Sequence, residues 1–195
     1  MEKYRVIDGN EACAHISYMF TEIAGIYPIT PASPISEYID EWSNSGRKNL
    51  FGNTVKVVEM QSEAGAIALV HGSLQTGSIS SSYTASQGLL LMIPSMYKIA
   101  GEMLPCVINV AARTVSTHAL SIFGDHSDIY AARTTGFCMM SSSNVQDTIY
   151  MTLTSYLSAI EGRLPFLNFF DGFRTRHELN KINVLDQEDI IDLVP

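Results

Sequence analysis

Short apolar and β-branched runs alternate along this chain with longer stretches of helical period. The runs at 26–29, 55–58, 78–83, 106–111, 137–140 and 165–170 predict six strands. Between them the pattern predicts helices. One starts at an Asn10 N-cap, runs to about residue 23 and stops at Gly25; a short one runs from Ser33-Pro34 to near Trp42. A third covers 64–70, and a fourth covers 89–102, interrupted near its start by Pro94. A long helix follows, capped by Ser143 or Asn144 and reaching about residue 160. Regular alternation of apolar strands and helices, with short loops, implies a three-layer α/β/α fold. Its sheet is doubly wound and mostly parallel. No internal repeat, low-complexity tract or linker interrupts the pattern.

In an open sheet of this kind, ligands meet the carboxyl ends of the strands. The residues following each strand are therefore the candidates for chemistry: Thr30, Glu63, 84–87, Arg113 and Asp171. Glu63 lies at a strand-to-helix joint in TVKVVEMQSEAGAIALVHG, residues 54–72. The small residues after it, Ala64, Gly65, Ala66 and Ala68, suit a helix packed closely on something flat. Glu63 either supports the first helical turn through the macrodipole or meets a ligand. Arg113 either pairs with a surface carboxylate or holds a substrate carboxylate, which its planar fork matches. Thr30, between Ile29 and Pro31, is either a turn residue or a hydroxyl partner for a small oxygen-rich ligand.

Composition narrows the field. The chain of 195 residues is long enough for one full α/β domain, and 46% hydrophobic against 16% charged residues calls for extensive burial. A net charge of −8 argues against nucleic acid as a partner. No apolar run approaches membrane length, and the N-terminus carries no secretory signal pattern. Cys13, Cys106 and Cys138 are far apart, which predicts reduced, buried thiols in an intracellular protein rather than cluster ligands. Glycine-rich dinucleotide and P-loop motifs are absent, as is a GxSxG nucleophile elbow. His118 and His126, with Asp125 and Asp128, fit no common zinc spacing and read as a hydrogen-bonded polar loop. Residues alone thus lead to an α/β domain that binds a small anionic ligand.

Five stretches carry a more specific likeness: IYPITPASP (26–34), VVEMQSEAGA (57–66), YTASQGLLLMIPSMYKIAGE (83–102), HALSIFGDHSDIYAARTTGF (118–137) and PFLNFFDGFRTRHE (165–178). Together, and in this order, they resemble the N-terminal domain of the pyruvate:ferredoxin (flavodoxin) oxidoreductase family. The resemblance implies a thiamine-diphosphate-binding fold over 1–185, with 186–195 starting a truncated continuation. It implies that Glu63 bonds the cofactor's aminopyrimidine near N1′ and promotes its imino tautomer. Thr30 and Arg113 match the substrate-contacting positions, and Ile122 in SIFGDH would pack beneath the cofactor. The implied reaction is oxidative decarboxylation of pyruvate with coenzyme A to acetyl-CoA and carbon dioxide. Electrons pass through [4Fe–4S] clusters to ferredoxin or flavodoxin. The superfamily holds pyrophosphate and Mg²⁺ with a GDG motif and an asparagine pair, which Asp8-Gly9-Asn10 and Gly124-Asp125-His126 do not supply. Cluster cysteines are absent too. The expectation is therefore one half of a site, completed by the remaining domains of a cytoplasmic, homodimeric enzyme and inactive in isolation. The alternatives are an oxidoreductase for another 2-oxo acid and a non-catalytic truncated domain.

Overall fold

A computed structural model describes residues 3–195. The elements run β1 (Lys3–Ile7), α1 (Gly9–Phe20), β2 (Ile23–Ile26), α2 (Ser33–Asn44), β3 (Lys56–Glu59), α3 (Glu63–Leu74), β4 (Ser80–Thr84) and α4 (Ser86–Gly101). They continue as β5 (Cys106–Ala112), α5 (Ser127–Ala132), β6 (Cys138–Ser142), α6 (Val145–Gly162), β7 (Phe166–Asp171), α7 (Arg174–His177), β8 (Asn180–Val184) and α8 (Gln187–Ile190). Six strands form one sheet in the order β3-β2-β4-β5-β7-β6, every neighbouring pair parallel. The expected three-layer, doubly wound architecture is present.

The central strand β5 shows why both faces must be covered. All seven of its residues are buried. Ile108, Val110 and Ala112 face a core with α3, α4 and α5, while Val107 and Ala111 face α1, α2 and α6. That is the period-2 alternation of a strand buried on both sides. Polar groups also lie inside. Tyr156 of α6 shares hydrogen bonds of 2.6 Å with Ser17 and Ser81, and accepts one from Asn109 at 3.3 Å. Tyr83 reaches Ser17 at 2.7 Å. Each hydroxyl finds a partner, so the desolvation penalty of a buried polar group is offset.

Several boundaries differ from the sequence expectation. Helix α1 is capped by Asp8, whose side chain accepts the Glu11 amide at 2.8 Å; Asn10 lies inside the helix. The helix ends at Phe20 because Thr21 turns to an extended backbone (ψ 131°), while its amide and hydroxyl both bond back to the Ser17 carbonyl, at 3.0 and 2.7 Å. Gly25 is consequently not a helix stop. It sits in β2, where a Cβ would lie 2.7 Å from the Ala66 carbonyl oxygen of α3. Pro94 does not interrupt α4, which runs unbroken from Ser86. The pyrrolidine is exposed, while Leu89, Met92, Met96 and Ile99 are all fully buried along the opposite face, and their burial outweighs the lost backbone bond. An antiparallel ribbon of β1 and β8 was not expected. Its strands lie at the two ends of the chain, and the polar NKINV carries little alternation.

His15 of α1 fastens that ribbon to the body. Its ring is 4% exposed. A carbonyl can only accept and a guanidinium can only donate, so the tautomer is set. Nε2–H donates to Leu185 O at 2.8 Å, and Nδ1 accepts from Arg47 Nη2 at 3.3 Å. Protonation would aim a second N–H at a cation. Burial, and secondarily the Arg47 charge, lowers the His15 pKa to about 4, against the opposing pull of Leu185 O.

Two outcomes follow for stability. Gly25→Ala should lower the urea unfolding free energy by roughly 1–3 kcal/mol, because the strand and helix backbones must part; an unchanged midpoint contradicts the close approach. For His15 the folded state has the depressed pKa, so the unfolded chain binds the extra proton between about pH 6.5 and 4. Its contribution is complete above that window and declines as pH falls through it, by roughly 2 kcal/mol at pH 5. His15→Gln should flatten that part of the pH–stability profile relative to the parent chain.

Candidate active site at the carboxyl edge of the sheet

The chain leaves β2 outward to β3 and returns to β4, so strand order reverses between β2 and β4. Their ladder is short, pairing only Ile23 with Ser80 and Ala24 with Ser81. The neighbouring β4–β5 ladder continues to Thr84 and Val110. Beyond Ala24 the Ser82 hydroxyl donates to the Gly25 carbonyl at 2.7 Å in place of a backbone bond. A crevice therefore opens at the carboxyl edge between these strands, at the topological switch point where doubly wound folds bind ligands.

Glu63 opens α3 beside this crevice. Ser62 caps the helix, its hydroxyl accepting the Gly65 amide at 3.2 Å, so Glu63 is not needed as a cap. Glu63 is only 5% exposed. Among the described residues no hydrogen-bond donor or cation meets its carboxylate. Its Oε1 lies 2.6 Å from the point where a Cβ on Gly88 would stand, and the Thr84 hydroxyl lies 2.5 Å from the same point. The Thr84 hydroxyl is buried and also lacks a partner. A buried, unpaired hydroxyl and a carboxylate oxygen that accepts no hydrogen bond from the described residues thus converge above Gly88, which leaves room for them. Unpaired buried polar groups are costly, and their clustering points to a ligand that satisfies them.

Arg113 follows β5 and is 6% exposed. Its Nη1 donates to the Thr30 carbonyl at 2.6 Å and its Nη2 to Gln87 Oε1 at 3.3 Å. Its Nε–H is buried without a partner. Burial pulls its pKa down from the usual guanidinium value, partly countered by Asp128; the group stays cationic. The structure thus brings Thr30 and Arg113 together, though through the backbone of Thr30. The Thr30 side chain is exposed in the turn before the cis Thr30–Pro31 bond. Ile122 is 50% exposed on the loop after β5 and joins none of the apolar cores. Asp171, at the end of β7, is taken up by local bonds to the Phe173 and Arg174 amides.

For two residues named in the sequence, the part played at this edge was not legible there. Gln87 lies in the turn that the pattern placed at this edge, and its amide nitrogen is also used: Nε2 donates to the Ser116 carbonyl at 2.8 Å. Asp128 reads as part of a polar loop, yet it is fully buried. No sequence signal distinguishes it, since its partners are backbone amides. His118 and His126 do not gather with the acids; among the described residues no group of three or more potential metal ligands converges. Among the described residues no helix is long and apolar enough to cross a membrane.

A parallel, doubly wound sheet with a buried carboxylate and a buried arginine at its switch point defines an α/β domain that binds its ligand at the strand ends. Known proteins narrow this further. The family model described as "Pyruvate flavodoxin/ferredoxin oxidoreductase, thiamine diP-bdg" matches residues 16–195, and the chain belongs to that family. It is 60% identical over 190 residues to pyruvate:ferredoxin oxidoreductase of Moorella thermoacetica, covering 97% of this chain and 16% of that protein. It is 57% identical over 189 residues to a probable pyruvate-flavodoxin oxidoreductase of Escherichia coli K12, with 97% and 16% covered. The chain thus spans about a sixth of the length of these relatives. Among solved structures, a 2-oxoglutarate:ferredoxin oxidoreductase from Magnetococcus marinus, with 2-oxoglutarate, coenzyme A and succinyl-CoA bound, superposes with a TM-score of 0.84. That match is 24% identical, covers 96% of this chain and 32% of that one, and supports the fold.

The packing above Gly88 gives a prediction of unusual sign. Glycine to alanine inside a helix normally stabilises by roughly 0.5–1 kcal/mol. At Gly88 the methyl group would meet Thr84 and Glu63. Gly88→Ala should instead cost roughly 1–3 kcal/mol in urea unfolding; a stabilised variant contradicts the convergence of the two side chains.

Proposed function

We propose that this chain forms the aminopyrimidine-facing and 2-oxo-acid-facing half of a thiamine diphosphate site. The whole enzyme is a pyruvate:ferredoxin or pyruvate:flavodoxin oxidoreductase, converting pyruvate and coenzyme A to acetyl-CoA and carbon dioxide. The observation that carries this reading is the buried Glu63, whose carboxylate meets no hydrogen-bond donor among the described residues and lies beside Thr84 at the β2–β4 crevice. A carboxyl so placed suits a ring nitrogen that can share a proton with it. When bound, thiamine diphosphate supplies a carbon nucleophile for the keto carbon and takes up the electron pair released as carbon dioxide leaves.

The chain's own groups have distinct tasks in this reading. Glu63 holds a proton at N1′ of the aminopyrimidine and so sets the tautomer of the ring. The Thr84 hydroxyl, orphaned beside it, offers a second polar contact. Arg113 holds the carboxylate of the 2-oxo acid with its free Nε–H and the Nη protons that Thr30 and Gln87 leave unused. Low local dielectric strengthens that ion pair. The Thr30 hydroxyl, unused by Arg113, is available to a substrate oxygen. Ile122, exposed in this chain, is covered by the cofactor once the other half of the site is in place.

The remaining parts fall outside the chain. The reading assigns pyrophosphate, Mg²⁺ and the [4Fe–4S] clusters to other domains of the same enzyme, and places that enzyme in the cytoplasm as a homodimer. In the full-length enzyme, Glu63→Gln keeps the shape and removes the proton-sharing carboxyl. Pyruvate-dependent ferredoxin reduction should fall by about 10²–10⁴-fold, the usual scale of a lost acid–base group. A rate within threefold of the parent sinks the role given to Glu63.

A further inference from the structure

Helix α4 begins without a cap of its own. The Ala85 side chain cannot accept a hydrogen bond, and the first residue of the helix, Ser86, stands at φ +48°, a left-handed conformation that serine seldom adopts. The backbone amide of Ser86 instead donates to Asp128 Oδ2 at 2.8 Å. The same oxygen accepts the backbone amide of Arg113 at 3.0 Å. Asp128 Oδ1 accepts the Ile129 amide at 2.8 Å, so both carboxylate oxygens are occupied by N–H groups. Asp128 is 0% exposed and comes from α5, a helix remote in sequence from both amides. One oxygen therefore ties the turn after β4 to the end of β5.

These two backbone points carry the groups that aim the guanidinium. Ser86 precedes Gln87, and the single Ser86 O–H lies within reach of two acceptors, Gln87 Oε1 at 2.5 Å and the Thr114 carbonyl at 2.8 Å. Gln87 Oε1 in turn accepts Arg113 Nη2. We propose that Asp128 is a positioning residue for 2-oxo acid binding: its carboxylate clamps the Ser86 and Arg113 amides together and so holds Gln87 against the Arg113 fork. The clamp explains why a left-handed serine is tolerated, since the surrounding bonds over-determine it. A buried carboxylate at the amide end of a helix is also favoured by the dipole and by the unpaired N–H groups there. Burial raises the Asp128 pKa while its three amide partners lower it. Asp128 reaches the substrate only through Arg113.

This inference rests on the proposed role of Arg113, and the test separates the two. In the full-length enzyme, binding of oxamate, an unreactive isostere of pyruvate, is measured by calorimetry. Asp128→Ala should weaken it at least tenfold while kcat at saturating pyruvate stays within threefold. Asp128→Asn keeps one acceptor oxygen for the two amides and should weaken it by less than fivefold. In an Arg113→Leu background, neither Asp128 change should lower kcat/KM further by more than twofold. Loss of kcat/KM by the same factor with and without Arg113 assigns Asp128 a general structural role and overturns the proposal. Should Asp128→Ala fail to fold, the Asn variant in the two backgrounds gives the same comparison. If Arg113→Leu leaves oxamate binding intact, the reading of Arg113 fails. If Arg113→Leu abolishes binding but Asp128→Ala does not weaken it, only the clamp fails.

Discussion

The constraint on which this domain turns is the early parting of β2 from β4. Two residue pairs hold these strands together, and then the backbone hydrogen bonds cease in the middle of an otherwise continuous sheet. Parallel strands buried on both faces do not give up ladder bonds without compensation. Here one side-chain hydroxyl replaces part of the ladder, and the rest of the gap becomes the crevice. Reversal of strand order puts the start of α3 beside the opening, which is how a carboxylate comes to be buried there. The close contact of Gly25 with the α3 backbone completes the arrangement, because it sets how deep the helix can lie.

Burial has different consequences on the two sides of the sheet. Beneath α1 and α6 the hydroxyls around Tyr156 bond to one another, although Asn168 Oδ1 in the same layer stays unpaired. That region carries no unsatisfied hydroxyl on Ser17, Ser81 or Tyr83 and reads as architecture. At the carboxyl edge the buried polar atoms of Thr84, Arg113 and Ser116 remain unpaired. Hydroxyls are paired off around Tyr156 and left open beside Glu63 and Arg113.

Much of this was legible in the primary structure. Short apolar runs such as CVINVA and PFLNFF, alternating with helical stretches, read as strands buried on both faces, so the parallel sheet followed from them. Thr30, Glu63 and Arg113 stood out because each follows a strand, and a strand end fixes location irrespective of side-chain chemistry. What remained hidden has a common cause. Gly25 can end a helix or admit a neighbouring backbone, and only the position of α3 decides. The β1–β8 ribbon depends on pairing between the chain's extremities, a non-local contact that no short window contains. Asp128 binds amides, which every residue but proline possesses, so the identity of its partners leaves no trace in their letters.

The hold on Arg113 is divided between a main-chain oxygen of Thr30 and a side-chain oxygen of Gln87. Any residue at position 30 can present that carbonyl. The anchoring of positive charge is thereby uncoupled from the chemistry that position 30 displays toward a bound molecule. An exchange of that one turn side chain would thus alter what the surface displays there and leave the seat of the guanidinium unchanged.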